Sequence, residues 1–231
     1  MTEFLNSSTY FCVLLTLAAF AVGSFCQKKW RLAIFNPILI AAVLVMAVLL
    51  LLDIPNETYQ AGCQILTYLL TPATICLSIS FYQNFRKLKQ HLPAILAGVV
   101  AGTVCGIGSI YLLCRLFDFD RVLLLSMLPK SVTNAIGVAL CQELGGIAAM
   151  TTAAIAITGI LGNMFGPALC KLLRLRNPIA QGVAFGTASH VMGTAKAAEL
   201  SELAGSVGSL SLTLAGILTA VFLSFLSQFI P

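Results

Sequence analysis

The sequence predicts an all-α integral membrane protein, a polytopic helical bundle in which two hairpins break or re-enter inside the bilayer. Three observations point to this class. Hydrophobic residues make up 59% of the 231 residues and charged residues only 9%, against roughly 45–50% and about 25% in soluble domains. Apolar stretches of about 20 residues, the length that crosses a bilayer, recur along the chain. Two polar segments interrupt its second half, and similar octapeptides follow them.

Six apolar stretches are long enough to cross the bilayer. They cover approximately residues 9–26, 33–52, 61–83, 92–114, 146–170 and 206–229. The longest plainly polar connection runs only from Asp53 to Gln60, which leaves no room for a separate soluble domain. We therefore expect a single membrane domain, with residues 1–116 as a scaffold of spans and residues 117–231 as the core that carries both interruptions.

Basic residues cluster after the first, third and fifth apolar stretches, and these clusters predict the orientation in the membrane. They lie at 28–31, 86–89 and 171–176, whereas the connections 53–57 and 115–121 are acidic or balanced. Cytoplasmic loops carry the excess of Lys and Arg, so we expect the amino terminus outside. No Lys or Arg precedes the first cluster, so the first span is expected to stay attached rather than to be cleaved as a signal peptide. The net charge of +5 then reflects topology, and we expect the lipid bilayer, not nucleic acid, as the partner.

This orientation leaves one apolar segment too many between Arg121 and Lys171. The two residues should lie on opposite sides, so an odd number of crossings separates them, yet both 122–143 and 146–170 are apolar enough to cross. Pro129 interrupts the first of these, because proline removes a backbone donor and clashes with the preceding turn. We therefore expect residues 122–143 to enter the membrane and return, with a new helix capped near Ser131 or Thr133.

A second segment, 178–200, behaves in the same way from the cytoplasmic side. Its middle, 186–194 (GTASHVMGT), is a poor continuous helix. The octapeptides 139–146 (ALCQELGG) and 198–205 (AELSELAG) follow the two interruptions and align with a spacing of 59 residues. We therefore predict two re-entrant hairpins from opposite faces, related as an inverted repeat. Irregular backbone at this depth is tolerated only where it is packed in protein or faces a watery cavity.

The tips of both predicted hairpins carry groups suited to a small anion. A helix that begins at each tip presents unpaired amides and a partial positive charge. Hydroxyls, amides and cationic side chains lie beside them, a combination that suits a carboxylate. The candidate substrate-binding residues are Lys130, Ser131, Thr133, Asn134, Thr187, Ser189, His190, Gly193, Thr194 and Lys196.

Several of these residues also have a purely structural interpretation. Lys130 could extend toward the interface beside a short helix, although a charge at the bilayer centre costs at least ~2.5–3.5 kcal/mol and is usually retained for a task. His190 could be a neutral imidazole bonded to a backbone carbonyl, or it could take part in proton coupling. Lys196 and Glu199 lie three residues apart on one helical face, and we favour mutual neutralisation for them.

Glu143, Glu199 and Glu202 are candidates for structural or coupling roles. Glu143 and Glu202 close their hairpins beside glycines, so they are expected at the membrane surfaces as solvated ends. Two further sets of glycines recur every three or four residues and predict close helix packing. These sets are Gly98, Gly102 and Gly106, and Gly159, Gly162 and Gly166.

The sequence gives no support to an enzyme. It lacks a P-loop, a dinucleotide-binding glycine fingerprint and an H-E-x-x-H motif. Its eight cysteines form no C-x-x-C pair, which argues against a zinc site or a disulfide framework. We expect no cofactor and no metal, and concentrative transport would have to draw on an ion gradient or a partner.

Three segments carry a resemblance to a known family. Residues 128–133 (LPKSVT), 159–166 (GILGNMFG) and 186–200 resemble the signature segments of the LrgB/CidB family of bacterial membrane proteins. The similarity covers nearly the whole chain and is strongest from 121 to 203. The chain departs from the family pattern at 134–137, where it has NAIG in place of the common TPIA, which bears on the substrate it would hold.

The resemblance implies a multi-pass protein of the bacterial inner (cytoplasmic) membrane, described as antiholin-like or as a regulator of murein hydrolase export and autolysis. It also implies kinship with the carboxyl-terminal half of the plastid glycolate/glycerate transporter and with proteins proposed to move pyruvate. The usual partner is a small LrgA/CidA-type membrane protein, and copies of the chain itself are a further expected partner.

Two functions follow. The first is a secondary transporter or facilitator of small monocarboxylates such as glycolate, glycerate, lactate or pyruvate, with a small organic anion as substrate. The alternative is a holin- or antiholin-like component that regulates murein hydrolase export and autolysis. We favour the first because a pore needs amphipathic helices with a polar stripe, whereas the polar residues here converge on two discrete breaks.

Overall fold

The computed structural model describes residues 9–30, 36–69, 72, 75–76, 82 and 84–226. Every regular element in these ranges is a helix, which confirms the predicted all-α class. In chain order the helices are α1 (Thr9–Trp30), α2 (Pro37–Leu51), α3 (Asn56–Gly62), α4 (Gln64–Tyr68), α5 (Phe85–Gln90), α6 (Leu92–Leu116), α7 (Arg121–Met127), α8 (Asn134–Glu143), α9 (Ala148–Leu172), α10 (Pro178–Leu200) and α11 (Glu202–Leu226).

Four helices in the described ranges, α1, α6, α9 and α11, are long and apolar enough to cross a membrane. They correspond to the first, fourth, fifth and sixth predicted spans, and α2 forms a shorter apolar helix at the second. Large apolar side chains such as Phe25, Leu112 and Ile157 are exposed on these helices, as a lipid-facing surface requires. The third predicted span, 61–83, begins with the short helices α3 and α4, and most of its remainder lies outside the described residues.

Local capping explains where several helices begin. The Asn36 and Asn177 side chains accept hydrogen bonds from the backbone amides two residues later, at the start of α2 and α10. A proline occupies the first helical position in both cases, where its missing N–H costs nothing. Asp120 caps α7 by accepting from Leu123 N at 3.0 Å. These short polar signals set the entry points of otherwise apolar helices.

The chain forms two compact units, residues 1–76 and 77–231. In the first unit, α1 and α2 approach closely at Gly23, where an added Cβ would lie 2.6 Å from Pro37 O. The second unit contains α5 to α11 and both predicted interruptions. The proposed functional division at residue 116 stays a prediction. By its contacts, α6 belongs to the same compact unit as α7 to α11.

The first interruption is a true break, which we call the first break and define as residues 128–133 between α7 and α8. After α8 the chain returns to α7, because Ile147 N donates to Ser126 Oγ at 2.8 Å. Thr151, in the first turn of α9, donates to Ser126 O at 2.7 Å. Thr133 occupies the predicted position before α8, but its side chain makes no capping hydrogen bond. The predicted helix–break–helix hairpin is therefore present.

The second interruption lies inside α10, at a hinge formed by Ser189 and His190. His190 has a φ of 43°, a region that non-glycine residues rarely adopt. The two arms of α10 fold back on each other, since an added Cβ on Gly193 would lie 2.7 Å from Phe185 O. In an unbroken helix, residues eight apart are separated by about 12 Å along the axis. The first arm lies along the later part of α9, where Phe185 contacts Gly166.

The two hairpins meet near Ile155 of α9. An added Cβ on Gly137, in the first turn of α8, would lie 2.5 Å from Ile155 Cδ1. His190 Nε2, at the hinge, lies 2.9 Å from Ile155 O. The first hairpin reaches this level from the beginning of α9 and the second from its end. Entry from opposite membrane faces stays a prediction. The relation of the two halves as an inverted repeat stays a prediction.

We expect single cysteines introduced as Glu57→Cys and Arg174→Cys, in a background without the native cysteines, to react with membrane-impermeant thiol reagents from opposite sides. The reason is the positive-inside distribution of Lys and Arg. The measurement compares labelling of intact cells with labelling of inverted vesicles. Labelling of both positions from the same side would contradict the predicted topology.

Candidate functional site

The first break holds a lysine beside a hydroxyl. Lys130 is half-buried, and its Nζ donates to Ser131 Oγ at 3.0 Å. Pro129 on one side is buried, while Thr133 is half-buried and Asn134 is exposed at the start of α8. The hydrogen bond keeps the ammonium beside the break. Of the residues predicted in this segment, Lys130, Ser131 and Thr133 are therefore partly within the protein, and Asn134 is not.

The hinge holds a buried histidine that is hydrogen-bonded to a backbone carbonyl. His190 is 5% exposed, and its Nε2 lies 2.9 Å from Ile155 O. A carbonyl oxygen only accepts, so Nε2 carries a proton and donates to it. Gly159 permits this approach, because an added Cβ there would lie 2.6 Å from the imidazole. This bond to a backbone carbonyl is the partner that the structural interpretation of His190 predicts, and its part in proton coupling stays a prediction.

Further hydrogen bonds close the hinge. Thr194 Oγ1 donates to His190 O at 2.9 Å. Asn163 Nδ2 donates to Met192 O at 3.2 Å. Sequence reasoning missed Asn163, although an amide inside an apolar span and next to Gly162 was an available signal. These bonds pair backbone groups that the break in α10 releases from the helical ladder.

A small cavity joins the two interruptions. Leu128 and Ser131 line it from the first break, Thr187 lines it from the first arm of α10, and Thr103 and Thr219 line it from α6 and α11. About 10 Å³ is open to the centre of a water-sized sphere, which is room for about one water molecule. Thr103 and Thr219 were not predicted, because a lone hydroxyl in an apolar span does not reveal which neighbour it faces.

The two interruptions lie near each other, because both approach Ile155. Ser131, which accepts the hydrogen bond from Lys130, lines the cavity together with Thr187. The structure therefore brings Lys130 and Ser131 of the first break near Thr187 of the first α10 arm, more than fifty residues away in the chain. Their roles in binding a substrate stay predictions.

The glutamates and Lys196 lie elsewhere. Lys196 pairs with Glu199, which is the structural pairing favoured from the sequence. Glu143, the last residue of α8, and Glu202, the first residue of α11, are both exposed. Glu202 accepts a hydrogen bond from Asn84 Nδ2 at 3.1 Å, so it also ties α11 to the segment before α5. Both glutamates occupy the junction between a hairpin and the following span, as their place in the repeated octapeptide predicts.

Most glycines of the two predicted sets pack closely against a neighbouring segment. An added Cβ on Gly102 would lie 2.9 Å from Thr187 Oγ1, and one on Gly98 would lie 3.0 Å from Val183 Cγ1. Gly162 allows Ser189 to lie directly against α9. Gly106 differs, because nothing lies within 4 Å of such a Cβ. Within the described residues, no three His, Cys, Asp or Glu side chains are grouped so that they could hold a metal ion.

Comparison with known proteins gives consistent similarities along the chain. A family model described as the LrgB-like family matches residues 16–229. The antiholin-like protein LrgB of Bacillus subtilis is 32% identical over 224 residues, which cover 96% of this chain and 97% of that protein. The holin-like protein CidB of Staphylococcus epidermidis is 31% identical over 226 residues, 98% of each chain. The protein YxaC of B. subtilis is 36% identical over 210 residues, 91% of each. No solved structure gives a significant match.

Proposed function

Since the chain belongs to the LrgB-like family, we propose that it is a multi-pass protein of the bacterial inner membrane that carries small monocarboxylates across it. The observation that supports this most directly is the meeting of the two interruptions at one hydroxyl-lined cavity, beside Lys130. The cavity lies near the middle of α6 and α11. A charge retained at such depth is costly and usually serves a substrate or ion path.

The chemistry of the site favours an anion. Lys130 supplies a positive charge, and Ser131 and Thr103 supply hydroxyl groups. Two helices, α8 and the second arm of α10, begin at the interruptions. Each has a partial positive charge at its amino terminus. A carboxylate accepts hydrogen bonds from all of these groups. A small monocarboxylate fits this set because it brings one negative charge and little bulk.

The size of the cavity argues for a carrier rather than an open pore. Its space for about one water molecule is too small for a three-carbon acid, so a bound substrate requires the hairpins to move. The two hairpins approach from opposite ends of α9, and the movement of either one would open the cavity toward a different side. Alternating exposure of this kind is the general behaviour of carriers with broken helices.

The names of two relatives favour a second function. LrgB of B. subtilis is named antiholin-like and CidB of S. epidermidis is named holin-like. By this similarity the chain would be a membrane component that regulates murein hydrolase export and autolysis, together with a small LrgA/CidA-type membrane protein. The names bear directly on this second function, whereas support for the first comes from the geometry.

Uptake into proteoliposomes distinguishes the two functions. We expect purified protein of known amount to take up labelled pyruvate, lactate or glycolate with saturation, and unlabelled monocarboxylates to compete. The physical reason is that each protein offers a limited number of substrate sites, which are all occupied at high substrate concentration. Protein-free liposomes are the control. A leak without saturation, graded only by solute size, would overturn carboxylate transport and support the holin-like function.

A further inference from the structure

Thr103 carries a hydroxyl group that the structure leaves without a partner. Its side chain is 6% exposed and lies near the middle of α6. Thr103 Oγ1 has no hydrogen-bond partner in the part of the chain that the structure describes. Buried polar groups are almost always paired, because leaving one unpaired costs about as much as losing a hydrogen bond. An unpaired hydroxyl that also lines a cavity is therefore free to bind a ligand there.

The hydroxyl lies at the cavity between the two interruptions. Thr103 lines it together with Ser131, Thr187 and Thr219. Gly102 and Gly106 of α6 line the cavity beside Thr103. Gly106 leaves the adjoining space open, because nothing lies within 4 Å of an added Cβ there. The free volume accommodates one oxygen-sized group. The ligand, or the part of it that reaches Thr103, is therefore small.

Hydrogen-bond directions at the cavity favour an acceptor. Ser131 Oγ accepts from Lys130 Nζ at 3.0 Å, so its own proton is available to the cavity. Thr187 is different, because its hydroxyl donates to Val183 O at 2.8 Å and offers only an oxygen. Thr103 and Ser131 thus supply donors, and the ammonium behind Ser131 adds positive charge. A cation would be repelled by Lys130, whereas an anionic oxygen would be stabilised.

We propose that Thr103 donates a hydrogen bond to one carboxylate oxygen of the transported anion, and that this cavity receives the carboxylate end. This inference rests on the proposed transport function. It assigns a specificity-determining role to a residue of α6, outside both interruptions. The rest of the anion then extends toward whichever hairpin opens.

Thr103→Val tests the assignment, because valine keeps the shape and removes only the hydroxyl. We expect the KM for pyruvate uptake to rise about tenfold or more, as the loss of a hydrogen bond to a charged group predicts, with little change in the maximal rate. The thermal unfolding temperature should not fall, since valine removes an unpaired buried polar group. Thr103→Ser, which keeps a hydroxyl, should retain a KM near that of the wild type.

Ser211→Ala is the matched control. Ser211 Oγ is also buried without a partner, but Ser211 does not line the cavity, so its loss should leave the KM unchanged. An unchanged KM in Thr103→Val, with saturable uptake intact, would mean that the hydroxyl binds only a water and would overturn the assignment alone. A raised sodium requirement at constant KM would overturn it in favour of a coupling cation. Absence of saturable uptake by the wild type would overturn the transport function itself, and this assignment with it.

Discussion

Replacing Lys130 by methionine is expected to lower the efficiency of saturable monocarboxylate uptake by about 10- to 100-fold. Methionine keeps much of the length and volume of the side chain but removes the charge beside the cavity. A hydrogen bond or close contact with a charged partner contributes about 1.5–3 kcal/mol, and each 1.4 kcal/mol corresponds to about a factor of ten. The measurement is the initial rate of uptake into proteoliposomes over a range of pyruvate concentrations.

Lys171→Met provides the matched control for this experiment. Lys171 is an exposed lysine in the last turn of α9, so its replacement changes the net charge equally without touching the cavity. Its uptake should equal that of the wild type, and Lys130→Arg should retain part of the activity because the charge persists. Equal losses in Lys130→Met and Lys171→Met would show that net charge, rather than a binding site, governs uptake. Unchanged uptake in Lys130→Met would show that Lys130 does not contribute to substrate binding.

Replacing Gly186 by alanine is expected to lower the stability of the second unit substantially. The added Cβ would lie 2.5 Å from Gly208 O and 3.1 Å from Leu212 N. Both atoms belong to the backbone of α11, which cannot rotate away as a side chain can. Overpacking of this kind costs typically about 1–3 kcal/mol. The measurement is the thermal unfolding temperature of the purified protein in detergent.

Gly106→Ala makes the same chemical change at a position where nothing lies within 4 Å of the added Cβ. Its unfolding temperature should stay the same or rise slightly, because alanine is a better helix former than glycine. The contrast between the two variants reports on packing of the first α10 arm against α11. If Gly186→Ala unfolds at the wild-type temperature, that arm does not lie against α11 as closely as the structure has it.

Parts of this fold were predictable because their causes are local in sequence. Pro129 removes a backbone donor and clashes with the preceding turn, and the structure breaks at residues 128–133. The run around His190 is rich in small and hydroxyl residues, and α10 bends at Ser189 and His190. The motifs at these two places also resembled the LrgB family, to which the chain belongs. Lys196 and Glu199 were expected to pair from their spacing alone, and they do.

Other parts could not be predicted, because they depend on contacts between distant helices. Thr103 and Thr219 look like ordinary hydroxyl residues in apolar spans, yet packing turns both toward the cavity. Ile155 offers only a backbone carbonyl to His190, and side-chain identity does not reveal such a partner. The third predicted span was placed by hydropathy alone, and most of its second half lies outside the described residues.

The sequence alone determined that the protein is an apolar helical bundle, where its helices are interrupted, and to which family it belongs. These properties follow from hydropathy, from proline and from short motifs, each of which acts within a few neighbouring residues. The tertiary structure alone decided that the two interruptions meet at Ile155 and line a small cavity together with α6 and α11. That meeting depends on which glycines let α6, α9 and α11 approach the hairpins, and close packing between helices far apart in the chain is not encoded in any single segment.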